Sequence, residues 1–265
     1  CEPRLSPKVM SALVAPTTGI ISPFELVLAT ARNACANGTR FFFRFDVERI
    51  ERSHGCWQVH ASDGRVLSAP FVVNMAGASA ALIDAQVHPA DVVVRPRRGQ
   101  YVVFDKQTDG SGAQPIRHVL FQAQETDEGG TLLTPTIDGN LLAGPTSEDV
   151  RRFADNATTA DGIAHVKRVA KKIIPDLDES NIIAAFSGVR ANIVEVVKEK
   201  KDFVLRVSAP RFVSALGIKN PGMTSAPALV DRAVALLVGQ GLALKENPSY
   251  DPRDQGSHLP PFMHA

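Results

Sequence analysis

The stretch Gly217-Ile218-Lys219-Asn220-Pro221-Gly222-Met223-Thr224-Ser225-Ala226-Pro227 constrains this chain more than any other. It follows the strand-like Arg211-Phe212-Val213-Ser214-Ala215-Leu216 and leads into an apolar run to about Leu237, so a strand must end at a Pro-Gly turn and hand over to a helix. The first N–H groups of such a helix have no partner inside it, and the macrodipole adds partial positive charge at the same end. A phosphate, a carboxylate or another electron-rich group is thereby favoured at the turn. Taken alone, the segment is better read as an ordinary capped helix, so the rest of the chain decides.

Ser22-Pro23-Phe24-Glu25 is a capping box with proline at the first helical position, which predicts a helix to about Ala36. Asn37-Gly38 then supplies a left-handed stop, and the aromatic-rich residues 39–45 read as a strand. Alternating runs at 47–51, 57–61 and 65–68, the last after the Asp63-Gly64 turn, predict a small antiparallel meander. Phe71-Val72-Val73-Asn74-Met75-Ala76-Gly77 is a continuous apolar run ending in small residues, as expected of a parallel strand whose end meets a ligand or a helix. Short strands are expected near 92–94, 100–104, 118–122, 131–133 and 140–143. Helices near 159–174 and 225–237 bracket strands at 182–186, 203–207 and 212–215. The order predicts an α/β (α+β) chain of two interleaved domains, its middle mostly β.

At 265 residues and 44% hydrophobic the chain can bury a sizeable core. A net charge of +1 gives no general attraction to nucleic acid or anionic lipid. No apolar run approaches the ~20 residues of a membrane span. Cys1, Cys35 and Cys56 are odd in number and widely spaced, so a reducing, cytoplasmic setting is expected. The histidines are scattered, His258 and His264 lie in a Pro-rich tail, and no metal is predicted. Lys198-Glu199-Lys200-Lys201-Asp202 reads as a solvated turn, and Gly239-Gln240-Gly241 as a helix terminator. The start on Cys1, with neither an initiator methionine nor a signal peptide, suggests a piece of a longer product; residues 246–265 have linker composition.

Taken together, Val47, Val73-Asn74-Met75-Ala76-Gly77, Pro96-Arg97-Arg98-Gly99-Gln100-Tyr101, Gly188-Val189-Arg190 and Gly217-Ile218-Lys219-Asn220-Pro221-Gly222 resemble the D-amino-acid-oxidase superfamily of FAD enzymes. The likeness is strongest to its glycerol-3-phosphate dehydrogenase and L-2-hydroxyglutarate dehydrogenase branches, and runs in order from Glu2-Pro3 to about Leu237. Members begin with a G-x-G-x-x-G fingerprint that cradles the FAD pyrophosphate. This sequence has none, so the resemblance implies the C-terminal two thirds of a flavoenzyme, which alone could not bind FAD normally. It further implies a substrate domain at 1–21 and 92–208, mostly antiparallel β, interleaved with an incomplete Rossmann-like FAD-binding domain at 22–91 and 209–245, and a tail at 246–265.

The resemblance also assigns residues. Backbone at Val47 would meet the adenine, Ala76 and Gly77 would let main chain approach the dinucleotide, and Gly188 would lie near the flavin. Gly217, Pro221, Gly222, Met223 and Thr224 would set N–H groups against the flavin's pyrimidine end, where reduction puts negative charge. Arg190 would grip the substrate's carboxylate or phosphate, with Arg98, Gln100 and Tyr101 as further candidates in the cavity wall. Adjacent strand residues point to opposite faces, so at most one of Arg97 and Arg98 should reach the pocket.

The function implied is FAD-dependent oxidation of a small anionic alcohol, with glycerol 3-phosphate favoured by the Gly19-Ile20-Ile21-Ser22-Pro23 segment and the Asn220 to Thr224 turn. L-2-hydroxyglutarate or another 2-hydroxy acid, amine oxidation on the same scaffold, and a non-catalytic subunit lacking the dinucleotide half are the alternatives. A quinone, an iron–sulfur partner and oxygen are all compatible electron acceptors, and branch members often continue into a [2Fe-2S] domain. No catalytic base is named, because key residues in related enzymes come from the N-terminal part.

Overall fold

The computed structural model describes residues 2–106, 116–122, 130–196 and 202–253, the side chains of 194–196 excepted. Cys1, residues 198–201 of the lysine-rich turn, His258, His264 and the tail from 254 lie outside the described residues. Two compact units share the chain: Cys1–Leu26 with Arg97–Arg190, and Val27–Pro96 with Ala191–Ala265.

The helix α1 (Pro23–Ala36) starts where the capping box places it, with the Glu25 N–H donating to Ser22 Oγ at 3.2 Å. It ends at Asn37 and at Gly38, whose φ is 92°. The aromatic run after it makes no strand. Arg44 takes a φ of 51°, Phe41 stacks on Phe43 at 6.3 Å, and the Arg40 guanidinium lies over the Phe42 ring. β propensity here has no neighbouring strand to hydrogen-bond among the described residues, and propensity without a partner does not make a sheet.

The meander forms as predicted: β1 (Val47–Ser53), β2 (Cys56–Ala61) and β3 (Val66–Ala69) pair antiparallel in that order. β4 (Val72–Asn74) is the parallel strand read from the apolar run, and leads through a 3-10 turn at Gly77–Ser79 into α2 (Ala80–Asp84). The turn is held by Asn74, a buried side chain whose amide donates to the Ala80 carbonyl at 2.8 Å and to Ser214 Oγ at 3.3 Å.

β5 (Val92–Phe104) is one strand where two short ones are expected. Next come β6 (Leu120–Phe121), β7 (Leu132–Pro135), β8 (Leu141–Gly144) and β9 (Glu148–Asp149), then α3 (Ala160–Ile173) and β10 (Ile182–Val196). β10 also outruns the expected strand, so Gly188-Val189-Arg190 lies inside it. These strands form one sheet in the order β10-β5-β8-β7-β6, with β9 paired to β5. Val102, Phe104, Leu133, Leu141 and Ala143 from the sheet pack with Val166, Ala170 and Ile173 of α3 into the core of the first unit.

β11 (Val204–Ala209) and β12 (Phe212–Leu216) form a hairpin, and β12 pairs parallel with β4. α4 (Gly222–Gly239) begins three residues before the expected start and accommodates Pro227. Pro227, the sixth residue of the helix, forfeits the bond to the Met223 carbonyl. Val213 packs with Ala233 and Leu237 of α4, while Trp57 meets Phe212 edge-on at 5.1 Å. Gly241, with a φ of 90°, stops the helix as read from the sequence. Part of the segment read as linker is anchored: the Asp251 carbonyl accepts from the amides of Asn33 and Asn37, each at 2.9 Å.

A buried polar network ties the second unit together. The Asp84 carboxylate, 4% exposed, accepts from Arg206 and Ser208, and Arg206 also donates to Asp91 at 2.7 Å. Removing one partner from such a pair strands the other. Asp84→Ala is therefore expected to lower the unfolding free energy by about 3 kcal/mol, read from urea unfolding. Asp63→Ala, which loses an exposed pair with Arg65 and the turn bond from the Arg65 N–H, should lower the midpoint much less than Asp84→Ala does.

Candidate functional site

In the first unit, alternation along β5 places Arg97, Gly99 and Tyr101 on one face and Arg98 and Gln100 on the other. The two faces do different work. Arg98 is 5% exposed; it donates to Glu148 Oε2, to Asp155 Oδ1 and to the Ala157 carbonyl, all at 2.9 Å. Gln100 is fully buried, accepts from the Thr159 N–H at 2.7 Å and donates to Thr159 Oγ1 at 3.1 Å. Thr159 caps α3 by accepting from the Gly162 N–H. Both side chains thus hold the 148–159 segment and α3, on the face opposite Tyr101.

The opposite face gathers Arg190, Arg97, Tyr101 and Phe186. A Cβ built on Gly99 would lie 2.9 Å from Arg190 Nη2, so the guanidinium lies over the bare backbone there. It donates to the Thr146 carbonyl at 2.8 Å. Thr146 is fixed in turn by Gln100: its N–H donates to the Gln100 carbonyl at 3.1 Å, and its Oγ1 accepts from the Gln100 N–H at 3.0 Å. Tyr101 stacks on Phe186 with ring centroids 5.0 Å apart, in space left by Gly144, where a Cβ would meet the tyrosine ring at 2.5 Å. Burial raises the Tyr101 pKa, with Arg190 opposing, so the phenol stays a neutral donor. Arg190 is half-buried and meets no carboxylate among the described residues. Burial is the largest influence lowering its pKa, and the charge of Arg97 acts in the same direction. Gly188, on β10, has open space above it, so nothing nearby demands a glycine.

The second unit carries the 217–224 turn. Gly217 has a φ of 68°, and a Cβ there would meet Ile193 at 2.3 Å. A side chain at Gly222 would meet Ile218 at 2.7 Å. Pro221 precedes the helix; its carbonyl accepts from the Ser225 N–H at 3.0 Å and from Thr224 Oγ1 at 2.9 Å. The N–H groups of Met223 and Thr224 have no acceptor among the described residues. Two unspent donors at a helix start suit the electron-rich edge of a flavin, so the residues present fit that group. Lys219, which sequence reasoning passed over, donates from Nζ to Asn192 Oδ1 beside this turn.

The remaining sequence candidates also lie in the second unit. Gly77 has a φ of 57° with open space at its Cβ position, and Ala76 donates its N–H to Asn74 Oδ1 at 3.3 Å. Val47 opens β1 opposite Ala61, and its side chain packs against the Ile50, Trp57 and Phe212 cluster. Asp84, His88 and Asp91 offer ligand atoms within 4.8 Å of one another. The Arg206 guanidinium donates to both carboxylates and holds the Asp91 carboxyl below the usual range, so the arginine occupies the place of a cation.

The sequence profile described as FAD dependent oxidoreductase matches residues 1–236. A glycerol 3-phosphate dehydrogenase of Caloramator mitchellensis is 32% identical over 95% of this chain and 51% of its own length. A glycerol 3-phosphate oxidase of Mycoplasma genitalium is 28% identical over 95% of this chain and 64% of its own. The dithionite-reduced L-alpha-glycerophosphate oxidase of Mycoplasma pneumoniae, solved with FAD bound, superposes with a TM-score of 0.71 at 29% identity, covering 83% of this chain and 56% of that one. The chain therefore spans between half and two thirds of these relatives' length.

The 217–224 turn allows a direct test. Gly217→Ala should destabilise the protein by roughly 2 kcal/mol, because a positive φ and the Ile193 contact both oppose a side chain. Ile193→Ala should recover part of that loss in a double-mutant cycle followed by thermal unfolding.

Proposed function

The chain belongs to the FAD dependent oxidoreductase family and is related to its glycerol 3-phosphate dehydrogenase and oxidase branch; on that premise we propose that the protein oxidises a small anionic alcohol, glycerol 3-phosphate in the favoured case. FAD, when bound, would supply the acceptor for the hydride leaving the carbinol carbon. The observation that carries the reading is the Arg190 guanidinium, seated by Gly99 and the Thr146 carbonyl and matched with no carboxylate among the described residues. A planar, permanently charged fork in that state is suited to take a phosphate or carboxylate in two parallel hydrogen bonds.

In this reading the first unit acts as the substrate domain. Arg190 anchors the anion, the stacked Tyr101 and Phe186 rings form an apolar wall beside it, and Tyr101 adds a neutral hydroxyl donor. Holding the anion fixes the carbinol carbon relative to its acceptor, and such positioning supplies much of the rate in a transfer that needs an aligned C–H bond. Arg98 and Gln100 act one step removed, by fixing Thr146 and α3. The second unit offers main chain to FAD through the N–H groups of Met223 and Thr224, with Gly217 and Gly222 shaping the turn. Val47, Ala76, Gly77 and Gly188 are further places for main-chain approach to the cofactor. The reading requires no [2Fe-2S] cluster. No helix among the described residues is long and apolar enough to cross a membrane.

Anaerobic bleaching of the flavin absorbance in the full-length protein tests the reading. Glycerol 3-phosphate is expected to bleach it rapidly and L-2-hydroxyglutarate slowly; bleaching by neither would discard the substrate class. Arg190→Ala should raise the KM for glycerol 3-phosphate by roughly 100-fold, the scale of losing a charged partner.

A further inference from the structure

Arg97 shares its face of β5 with Gly99 and Tyr101, and the Arg190 guanidinium lies against Gly99, the middle one of the three. Two arginines are therefore brought close on one surface, where like charges repel unless an anion joins them. Their donors remain largely unspent. The hydrogen bond recorded for Arg190 goes to the Thr146 carbonyl, which leaves most of its five N–H groups for another acceptor. Arg97 faces the half-exposed Asp149 at 3.7 Å, beyond hydrogen-bond reach, and its Nε is buried with no hydrogen-bond partner. Arg98, on the other face, meets two carboxylates and a carbonyl at 2.9 Å. The Nε of Arg98 is buried without a partner as well, so the difference lies in the terminal nitrogens: those of Arg98 are spent on two carboxylates and a carbonyl, while those of Arg97 make no hydrogen bond among the described residues and are left for an acceptor beside Arg190.

We propose that Arg97 is a specificity-determining residue which, with Arg190, makes this face select a doubly charged phosphomonoester over a singly charged group. The inference rests on the reading of Arg190 as the anion-holding residue. Arg190 alone holds an anion of either charge; the second guanidinium responds to the second negative charge. The Tyr101 hydroxyl, neutral and half-buried, adds a donor indifferent to the charge state, and Asp149 opposes the selection by partly compensating Arg97. A carboxylate offers one charge to two cations and leaves part of their repulsion uncompensated.

Methyl phosphate and methyl sulfate are tetrahedral esters of similar shape that differ by about one charge near pH 7.5, above the phosphate's second pKa of about 6. Isothermal titration calorimetry of the full-length FAD-loaded protein is expected to show methyl phosphate bound about tenfold more tightly. Arg97→Gln should cut that preference to about twofold and leave methyl sulfate affinity nearly unchanged, whereas Arg97→Lys should retain most of it. An unchanged preference in folded Arg97→Gln, with both esters lost in Arg190→Gln, overturns this inference and leaves the reading of Arg190 standing. Binding of both esters undiminished in Arg190→Gln overturns the two together. Should Arg97→Gln fail to fold, Asp149→Asn decides: a raised preference for methyl phosphate supports the role of Arg97, and an unchanged one overturns it.

Discussion

A guanidinium exposed over only a twentieth of its surface has to be neutralised where it lies, and Arg98 sets the terms for everything around β5. Its partners, Glu148 and Asp155, come from the loop that returns from β8 toward α3, so satisfying Arg98 draws that loop onto the strand. Gln100 extends the same attachment to Thr159 and hence to the start of α3. The loop is then short of freedom at Thr146, which exchanges two hydrogen bonds with the Gln100 main chain. The carbonyl that seats Arg190 is therefore positioned by interactions on the far side of the strand. The two half-exposed carboxylates contribute less to stability than their number suggests, since solvent screens them; their effect is to fix register.

The second unit has a comparable device in Asn74. A buried amide at the end of a parallel strand must spend its donors and acceptor, and it spends them on Ala80, Ser214 and the Ala76 N–H. This closes the turn at Gly77 without help from a ligand, and it links β4 to β12, the strand that runs on into Gly217. The two glycine-bearing turns of the unit are thus tied through one side-chain pair. Gly217 itself is demanded by Ile193 and by its own φ, so glycine there has a packing reason apart from any cofactor.

Elements with a complete local signal were legible in the sequence. Ser22 with Glu25 set the start of α1, Asp63-Gly64 the β2–β3 connection, and the Phe71 to Gly77 run a parallel strand, because caps, turns and buried strands are determined by neighbours in the chain. Residues 39–45 failed for the opposite reason: Phe41, Phe42 and Phe43 carry the propensity, but a strand needs a partner, and sequence near a segment says nothing about that. Strand length was hidden too. β5 runs through Pro96, and β10 through Gly188, residues that read as breaks but cost a sheet little when no ladder bond is required of them. Of the candidate site, Arg190 is proposed on resemblance alone, whereas the contacts that Thr146 and Phe186 make there were not legible, since each enters only through what lies against it.

The choice between Arg97 and Arg98 shows where such a limit is physical. Alternation requires that the two point to opposite faces, and nothing in Pro96-Arg97-Arg98-Gly99-Gln100-Tyr101 says which face meets α3. That is settled by Glu148, Asp155 and Thr159, some fifty to sixty residues downstream, which converge on the face of Arg98 and Gln100. Once they do, parity leaves Arg97, Gly99 and Tyr101 to the face of Arg190. What distinguishes the structural arginine is that both its terminal nitrogens are spent on carboxylates and a carbonyl; an arginine whose terminal nitrogens make no hydrogen bond among the described residues, beside a second guanidinium, retains a claim on an anion. The same strand can hold both kinds one residue apart, and only its partners decide which is which.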